Sequence, residues 1–285
     1  MPNAFYLMSG QAHLHYLVPS LYTLRQHNPD VPVTVWAYPE SYDLVDLICK
    51  DDRLKAVAIK WQPYEYKKNS QFINKIHVVM QQHFWGDGAL YLDADTTIHG
   101  SLNQLFEHGK RHPFVATQFC HWTSNGKLIR QRLERMRGRE GIPQDLLEQL
   151  LTNSYASLNG GVFLSNAATN RGFEVLDWWL SKTESVQDVF ICDEMVLHLL
   201  QLRFNDVKVL EGGQYNASHK YTKHPNPIIY HYHGNSALRP GKSKAAYEMW
   251  WPIYQKCVAE NVGFIQEWKD VVHNKWLDKV LKDSK

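Results

Sequence analysis

Through the first half of the chain, short apolar runs alternate with stretches whose apolar residues recur at helical spacing. That pattern predicts a mainly parallel α/β sheet. Residues 4–8 read as a first strand, followed by a loop at Ser9-Gly10-Gln11. Residues 13–27 place Leu14, Leu17, Val18, Leu21 and Leu24 on one helical face. A turn at Asn28-Pro29-Asp30 precedes a strand over 32–37 (PVTVWA), a helix over 41–50 and a strand over 55–60. Residues 69–83 form an amphipathic helix with Phe72, Ile73, Ile76, Val79 and Met80 on its apolar side. Gly86-Asp87-Gly88 breaks it, and 89–92 is a short, wholly apolar strand.

The second half is less regular. Strands are expected over 113–118, 160–164, 207–210 and 228–232, and helices over 171–180 and 188–202. Residues 125–151 read as a basic helical insertion interrupted at Gly138 and Gly141-Ile142-Pro143. From 245 onward two helices are expected, carrying Trp250, Trp251, Trp268 and Trp276. No repeat or linker is visible. The expected organisation is one domain, with 1–243 as its catalytic part and 244–285 as a helical extension.

Composition narrows the classes. With 44% hydrophobic and 13% aromatic residues among 285, intrinsic disorder is excluded. The 31 Lys+Arg against 29 Asp+Glu leave a net charge of +2, so no strong global field is expected. No apolar run is long enough for a membrane span, and the start MPNAFYL reads as a strand rather than a signal peptide. Cys49, Cys120, Cys192 and Cys257 lie far apart with no CxxC pair, which fits reduced thiols and a cytoplasmic setting.

Four segments carry candidate chemistry. In Leu90-Tyr91-Leu92-Asp93-Ala94-Asp95, a buried strand emerges into two carboxylates one residue apart. If extended, that spacing puts both on one face, at the strand end where open α/β sheets bind ligands. Two adjacent carboxylates repel unless a cation joins them, and their hard oxygens suit Mg²⁺ or Mn²⁺. An Asp-x-Asp pair also arises by chance, so its place after the strand is what matters. In Tyr230-His231-Tyr232-His233, the histidines share a face opposite the tyrosines. An imidazole added to the carboxylates would favour Mn²⁺; alternatively the pair is simply hydrogen-bonded at a strand end. Asn159-Gly160-Gly161 allows close backbone approach or an ordinary turn. Asp193-Glu194 opens a helix, where acids also complement the dipole.

In this order the four segments resemble the GT-A sugar-nucleotide transferases, most closely glycosyltransferase family 8, over residues 4–240. The resemblance implies a Rossmann-like sheet flanked by helices. It implies Asp93 and Asp95 as metal ligands, with His231, the first residue of a His-x-x-Gly closed by Gly234, as the third. It also implies Asn159, Gly160 and Gly161 along the donor and acceptor sites, Asp193 and Glu194 near the reacting sugar, and Lys75 as a basic donor contact. The first loop, Ser9 and Gly10, would hold the nucleotide. Arg239 and Lys242 would face its phosphates, although the family's Lys-Pro-Trp is absent and Glu194 stands where an amide is usual. The implied reaction is metal-dependent hexosyl transfer, with retention, from a UDP-type sugar nucleotide to an acceptor hydroxyl. The acceptor could be a glycan or a small molecule. A third possibility comes from 127–139 (KLIRQRLERMRGR), with six basic residues and one acid, which suits either a solvated helix or a polyanion platform. The latter would fit an enzyme, cytoplasmic in an infected host, that glycosylates modified DNA bases. Two competing readings are a nucleotidyltransferase, for which the first loop lacks a basic signature, and a non-catalytic carbohydrate or nucleic-acid module using its aromatics as platforms.

Overall fold

In a computed structural model, which describes residues 2–81, 88–166, 168–218, 226–239 and 243–283, nine strands form: β1 Asn3–Met8, β2 Val33–Ala37, β3 Ala56–Lys60, β4 Ala89–Leu92, β5 Thr96–Ile98, β6 Phe114–Thr123, β7 Ala156–Ser165, β8 Lys208–Leu210 and β9 Ile229–His231. The helices are α1 Leu14–His27, α2 Pro39–Cys49, α3 Ser70–Met80, α4 Asn103–Arg111, α5 Lys127–Leu133, α6 Gln144–Thr152, α7 Asn170–Ser185, α8 Cys192–Arg203, α9 Gly212–Tyr215, α10 Lys244–Ala259, α11 Ile265–Trp268 and α12 Lys275–Asp283. The expected α/β class forms, its sheet structure mostly parallel and interleaved with helices. The helix expected over 69–83 is described to Gln81; its last two residues, Gly86, Asp87 and Lys242 lie outside the described residues.

The chain divides into two compact units. One comprises Met1–Asn3, Pro63–Tyr91 and Asn103–Gly212. Its strands follow the order β4-β7-β6-β8, with β6 antiparallel to β7 and parallel to β8. Phe114, Phe163 and Trp179 form an aromatic core here, with ring centroids 5.0–5.6 Å apart. Every residue of β4 is buried, which is why its sequence is continuously apolar.

The other unit comprises Ala4–Gln62, Leu92–Leu102 and Gly213–Lys285. Here β1 pairs in parallel with β2, and β2 with β3, while β5 and β9 form a separate antiparallel pair. Helix α1 packs Tyr16 against Trp250 of α10, and His15 against Trp268. Trp179, Trp250 and Trp268 are completely buried, so these aromatics serve the core rather than an exposed stacking surface.

Several elements differ from expectation. β5 and α4 were not expected at all: β5 is only three residues long, and α4 has a narrow apolar stripe among polar residues. The C-terminal part forms α10, α11 and α12 rather than two helices, because Asn261, Gly263 and Phe264 take positive φ and interrupt it. Cys49, Cys192 and Cys257 are free thiols, and the side chain of Cys120 is outside the described set. Among the described residues no helix is long and apolar enough to cross a membrane.

Candidate metal centre and a buried ionic cluster

The carboxylates after β4 meet by a different route from the extended one expected. Asp93, Ala94 and Asp95 form a turn into β5, held by Thr96 Oγ1 donating to the Asp93 carbonyl at 2.9 Å. β5 then pairs with β9 so that Thr96 lies opposite His231, and Tyr232 N donates to the Asp95 carbonyl at 2.8 Å. This register delivers the imidazole to the acids. His231 Nε2 is 3.1 Å from Asp95 Oδ1 and 3.7 Å from Asp93 Oδ2. One ligand atom from each of the three residues falls within 4.8 Å of the others.

Electrostatics prepare this group for a cation. Burial pushes the Asp95 carboxyl up, but the His231 charge, its hydrogen bond and the nearby His13 outweigh that and hold the pKa below the usual carboxylate value. His231 is buried, whereas Asp93 and Asp95 stay 33% and 23% exposed, so the acids open outward from a fixed imidazole. On its other side His231 Nδ1 lies 3.0 Å from Asn216 Oδ1. Because that oxygen can only accept, Nδ1 carries a proton, and Nε2 is left as the nitrogen that faces the acids: protonated, it donates to Asp95 Oδ1, and it would offer its lone pair to a cation that displaced that proton. Asn216 was not anticipated; nothing in its local sequence distinguishes it. The His233 ring lies tilted against that of His231, with centroids 3.6 Å apart, and among the described residues it is His231 that joins the cluster. Ser9 and Gly10 form the half-exposed loop after β1, with open space where a Gly10 side chain would project. Gly234 takes a φ of +60° in the turn His233–Leu238.

The remaining candidates gather in the other unit. Ala116 pairs with Phe163, but Thr117 pairs with Asn159, so Gly160, Gly161 and Val162 bulge from β7. Thr117 Oγ1 fastens the bulge by donating to the Val162 carbonyl at 2.7 Å. Lys75, 4% exposed, donates to the Gly160 carbonyl at 3.0 Å and pairs with Asp193 Oδ2 at 2.6 Å. A Cβ on Gly160 would stand 2.5 Å from that same carboxylate oxygen and 2.9 Å from Lys75 Nζ, which explains the glycine. Asn159 Nδ2 donates to Glu194 Oε1, while its own Oδ1 accepts from Gly161 N at 2.9 Å. Ile191, just before α8, takes a φ of +52°, a strained conformation for a β-branched residue, directly upstream of Asp193.

The basic run is substantially compensated. Glu134 pairs with Arg130 and Arg137, Arg137 also with Glu148, and Arg139 with Asp188. Arg132 lies over the Phe190 ring at 5.5 Å. The local charge of 127–139 is therefore partly cancelled by acids that the run itself does not contain.

No protein-family model matches the sequence, and no curated protein does. Solved structures match the fold. The galactosyltransferase LgtC, determined with donor and acceptor sugar analogues, superposes with a TM-score of 0.60 at 15% identity, covering 89% of this chain and 95% of that one. The glycosyltransferase GlyE of Streptococcus pneumoniae TIGR4 matches at TM-score 0.55 and 16% identity, over 92% of this chain and 64% of that one. Mouse xyloside xylosyltransferase 1 matches at 0.54 and 12%, over 82% and 99%. At such identities the likeness is one of architecture, and the chain has the GT-A glycosyltransferase fold expected from its motifs, resembling family 8.

Proposed function

We propose that this protein is a metal-dependent glycosyltransferase. It would move a hexosyl group, with retention, from a UDP-type nucleotide sugar to an acceptor hydroxyl. The observation that carries the proposal is the convergence of Asp93, Asp95 and His231 within 4.8 Å in a GT-A fold. Two hard carboxylates and one imidazole fit Mn²⁺ better than Mg²⁺. When bound, the ion supplies Lewis-acid stabilisation of the leaving diphosphate.

The chain's own residues prepare that event. Asn216 holds the His231 tautomer, and His231 and His13 keep the Asp95 carboxyl ionised. The Ser9-Gly10 loop would receive the nucleotide, with Gly234 and Lys242 also on the donor side. Asn159, Gly160, Gly161 and Glu194 would contact sugar hydroxyls, and Asp193, completely buried against Lys75, would hold that group in place. Lys75, neutralised by Asp193 and bonded to the Gly160 carbonyl, would position this group rather than meet a phosphate directly. In the reaction the bond from the anomeric carbon to the phosphate oxygen breaks. A bond from the acceptor oxygen forms on the same face, and the hydroxyl proton passes to the departing phosphate.

The test is Mn²⁺-dependent release of nucleoside diphosphate from a panel of sugar nucleotides, with a glycan, a small glycoside and hydroxymethylated DNA as acceptors. Turnover with one pairing, lost in a folded Asp95→Asn variant, is the expected result. Equal turnover in that variant would remove the metal assignment.

A further inference from the structure

Helix α1 packs against β5 and sends a chain of hydroxyls into the turn that carries Asp93. The Tyr6 hydroxyl of β1 lies 3.0 Å from Ser20 Oγ of α1, and Ser20 Oγ lies 3.2 Å from Thr96 Oγ1 at the start of β5. Thr96 Oγ1 in turn donates to the Asp93 carbonyl at 2.9 Å. The last acceptor fixes the direction of the whole chain. A carbonyl oxygen has no proton to give, so the single Thr96 proton points at it. Ser20 must then donate to Thr96, and Tyr6 to Ser20. Burial pushes the Tyr6 phenol well above its usual pKa, which keeps the first donor protonated. All three side chains are at most 1% exposed, which shelters the bonds from water, and bonds in series polarise one another.

The same helix holds the far end of β5. Thr23 Oγ1 donates to the Pro19 carbonyl at 2.8 Å and accepts from Ile98 N at 3.0 Å. A strand of three residues is thus pinned to α1 at both ends. Of the two acids, Asp93 has the greater need of such support. Asp95 Oδ1 is within hydrogen-bond reach of His231 Nε2 at 3.1 Å, whereas Asp93 Oδ2 stands 3.7 Å from it. The aim of the Asp93 carboxylate therefore depends on how its backbone is held, and its carbonyl is where the hydroxyl chain ends.

We propose that Tyr6, Ser20 and Thr96 are positioning residues of the metal centre, their hydroxyl chain holding the Asp93 peptide so that its carboxylate faces Asp95 and His231 before an ion arrives. Groups that orient a ligand tune its affinity without touching the metal, and a side chain aimed in advance loses less freedom on binding. The role rests on the metal-dependent reading of the acidic cluster.

The experiment is paramagnetic titration of the full chain with Mn²⁺, with thermal unfolding in EDTA measured beside it. Thr96→Val keeps the side chain's volume but loses its hydroxyl, and should weaken Mn²⁺ binding by about 10–100-fold. Thr96→Ser keeps the hydroxyl and loses volume, and should bind like the parent. Ser20→Ala should weaken binding by about tenfold and Tyr6→Phe by about threefold, the effect fading with distance from Asp93. In the Thr96→Val background, Ser20→Ala should cost no further affinity, because the chain is already cut. A side chain that merely fills space would give the reverse order at Thr96, with Ser weaker than Val. That order, or losses at Ser20 and Thr96 that simply add, would overturn the role. Should Thr96→Val fail to fold, Ser20→Ala and Tyr6→Phe decide the matter by the same titration. A parent that takes up no Mn²⁺ would remove the metal reading and this role together, whereas parental affinity in every variant would remove this role alone.

Discussion

The acidic cluster and the Lys75 cluster solve opposite electrostatic problems. Asp93 and Asp95 are partly open to solvent, and among the described residues their ion-pair partner is the His231 imidazole. Lys75 and Asp193 are 4% and 0% exposed, with a full positive charge already 2.6 Å from the carboxylate. The first could accommodate a cation, whereas the carboxylate of the second already has one in Lys75. The sequence motifs look equally acidic in both places, so what separates an open acidic cluster from a closed ion pair is the counter-charge already present.

Substitutions can sharpen this contrast. The largest effect on folding should come from Lys75→Met, which strands a buried carboxylate and should cost about 3–5 kcal/mol in urea unfolding. Adding Asp193→Leu should restore much of that loss. If Lys75→Met unfolds at the parental urea concentration, the pair is not the closed structural unit described. At the other cluster the effect should be on activity: Asp95→Asn should lower Mn²⁺-dependent transfer by about 10²–10³-fold while the thermal midpoint stays near the parent's. Asn216→Ala leaves all three ligands intact but frees the imidazole to rotate. It should weaken Mn²⁺ binding by about 10–100-fold, measurable by paramagnetic titration.

Gly160→Ala should destabilise by about 1–3 kcal/mol, since the new methyl meets the Lys75–Asp193 pair. The same change at Gly10, where the space is open, should be close to neutral. The smallest effect concerns acid. Burial lowers the pKa of both His15 and His198 to about 4, below the unfolded value. Each is therefore neutral in the fold, and the unfolded chain takes up protons first on acidification. Their stabilisation is complete above about pH 6.5 and is lost as the pH falls toward 4. The thermal midpoint should decline over that window, and less steeply in His198→Gln.

Much of the fold was legible because each element obeys a local rule. The wholly apolar β4 announced burial on both faces, and carboxylates can appear only where such a strand leaves the interior. The helical periodicity of α1 and α3 likewise marked their buried sides. Elements without a local signature were missed. Thr-Thr-Ile in β5 carries no alternation, yet it creates the register that brings His231 to Asp95. The acidic partners of the basic 127–139 run were equally invisible, since Glu148 and Asp188 lie outside it.

By itself, then, the sequence determined the α/β class, the place where Asp93 and Asp95 emerge, and a pair of histidines as the candidates to join them. Tertiary structure decided that His231 is the histidine that meets Asp93 and Asp95 and that Asn216 bonds its other ring nitrogen. It also decided that Lys75 is spent on Asp193, and that Arg239 meets Trp276 from 37 positions further along the chain. The reason is that hydrophobic burial is written in short-range periodicity, whereas charge pairing and ligand convergence depend on strand register and helix docking between residues far apart in the chain.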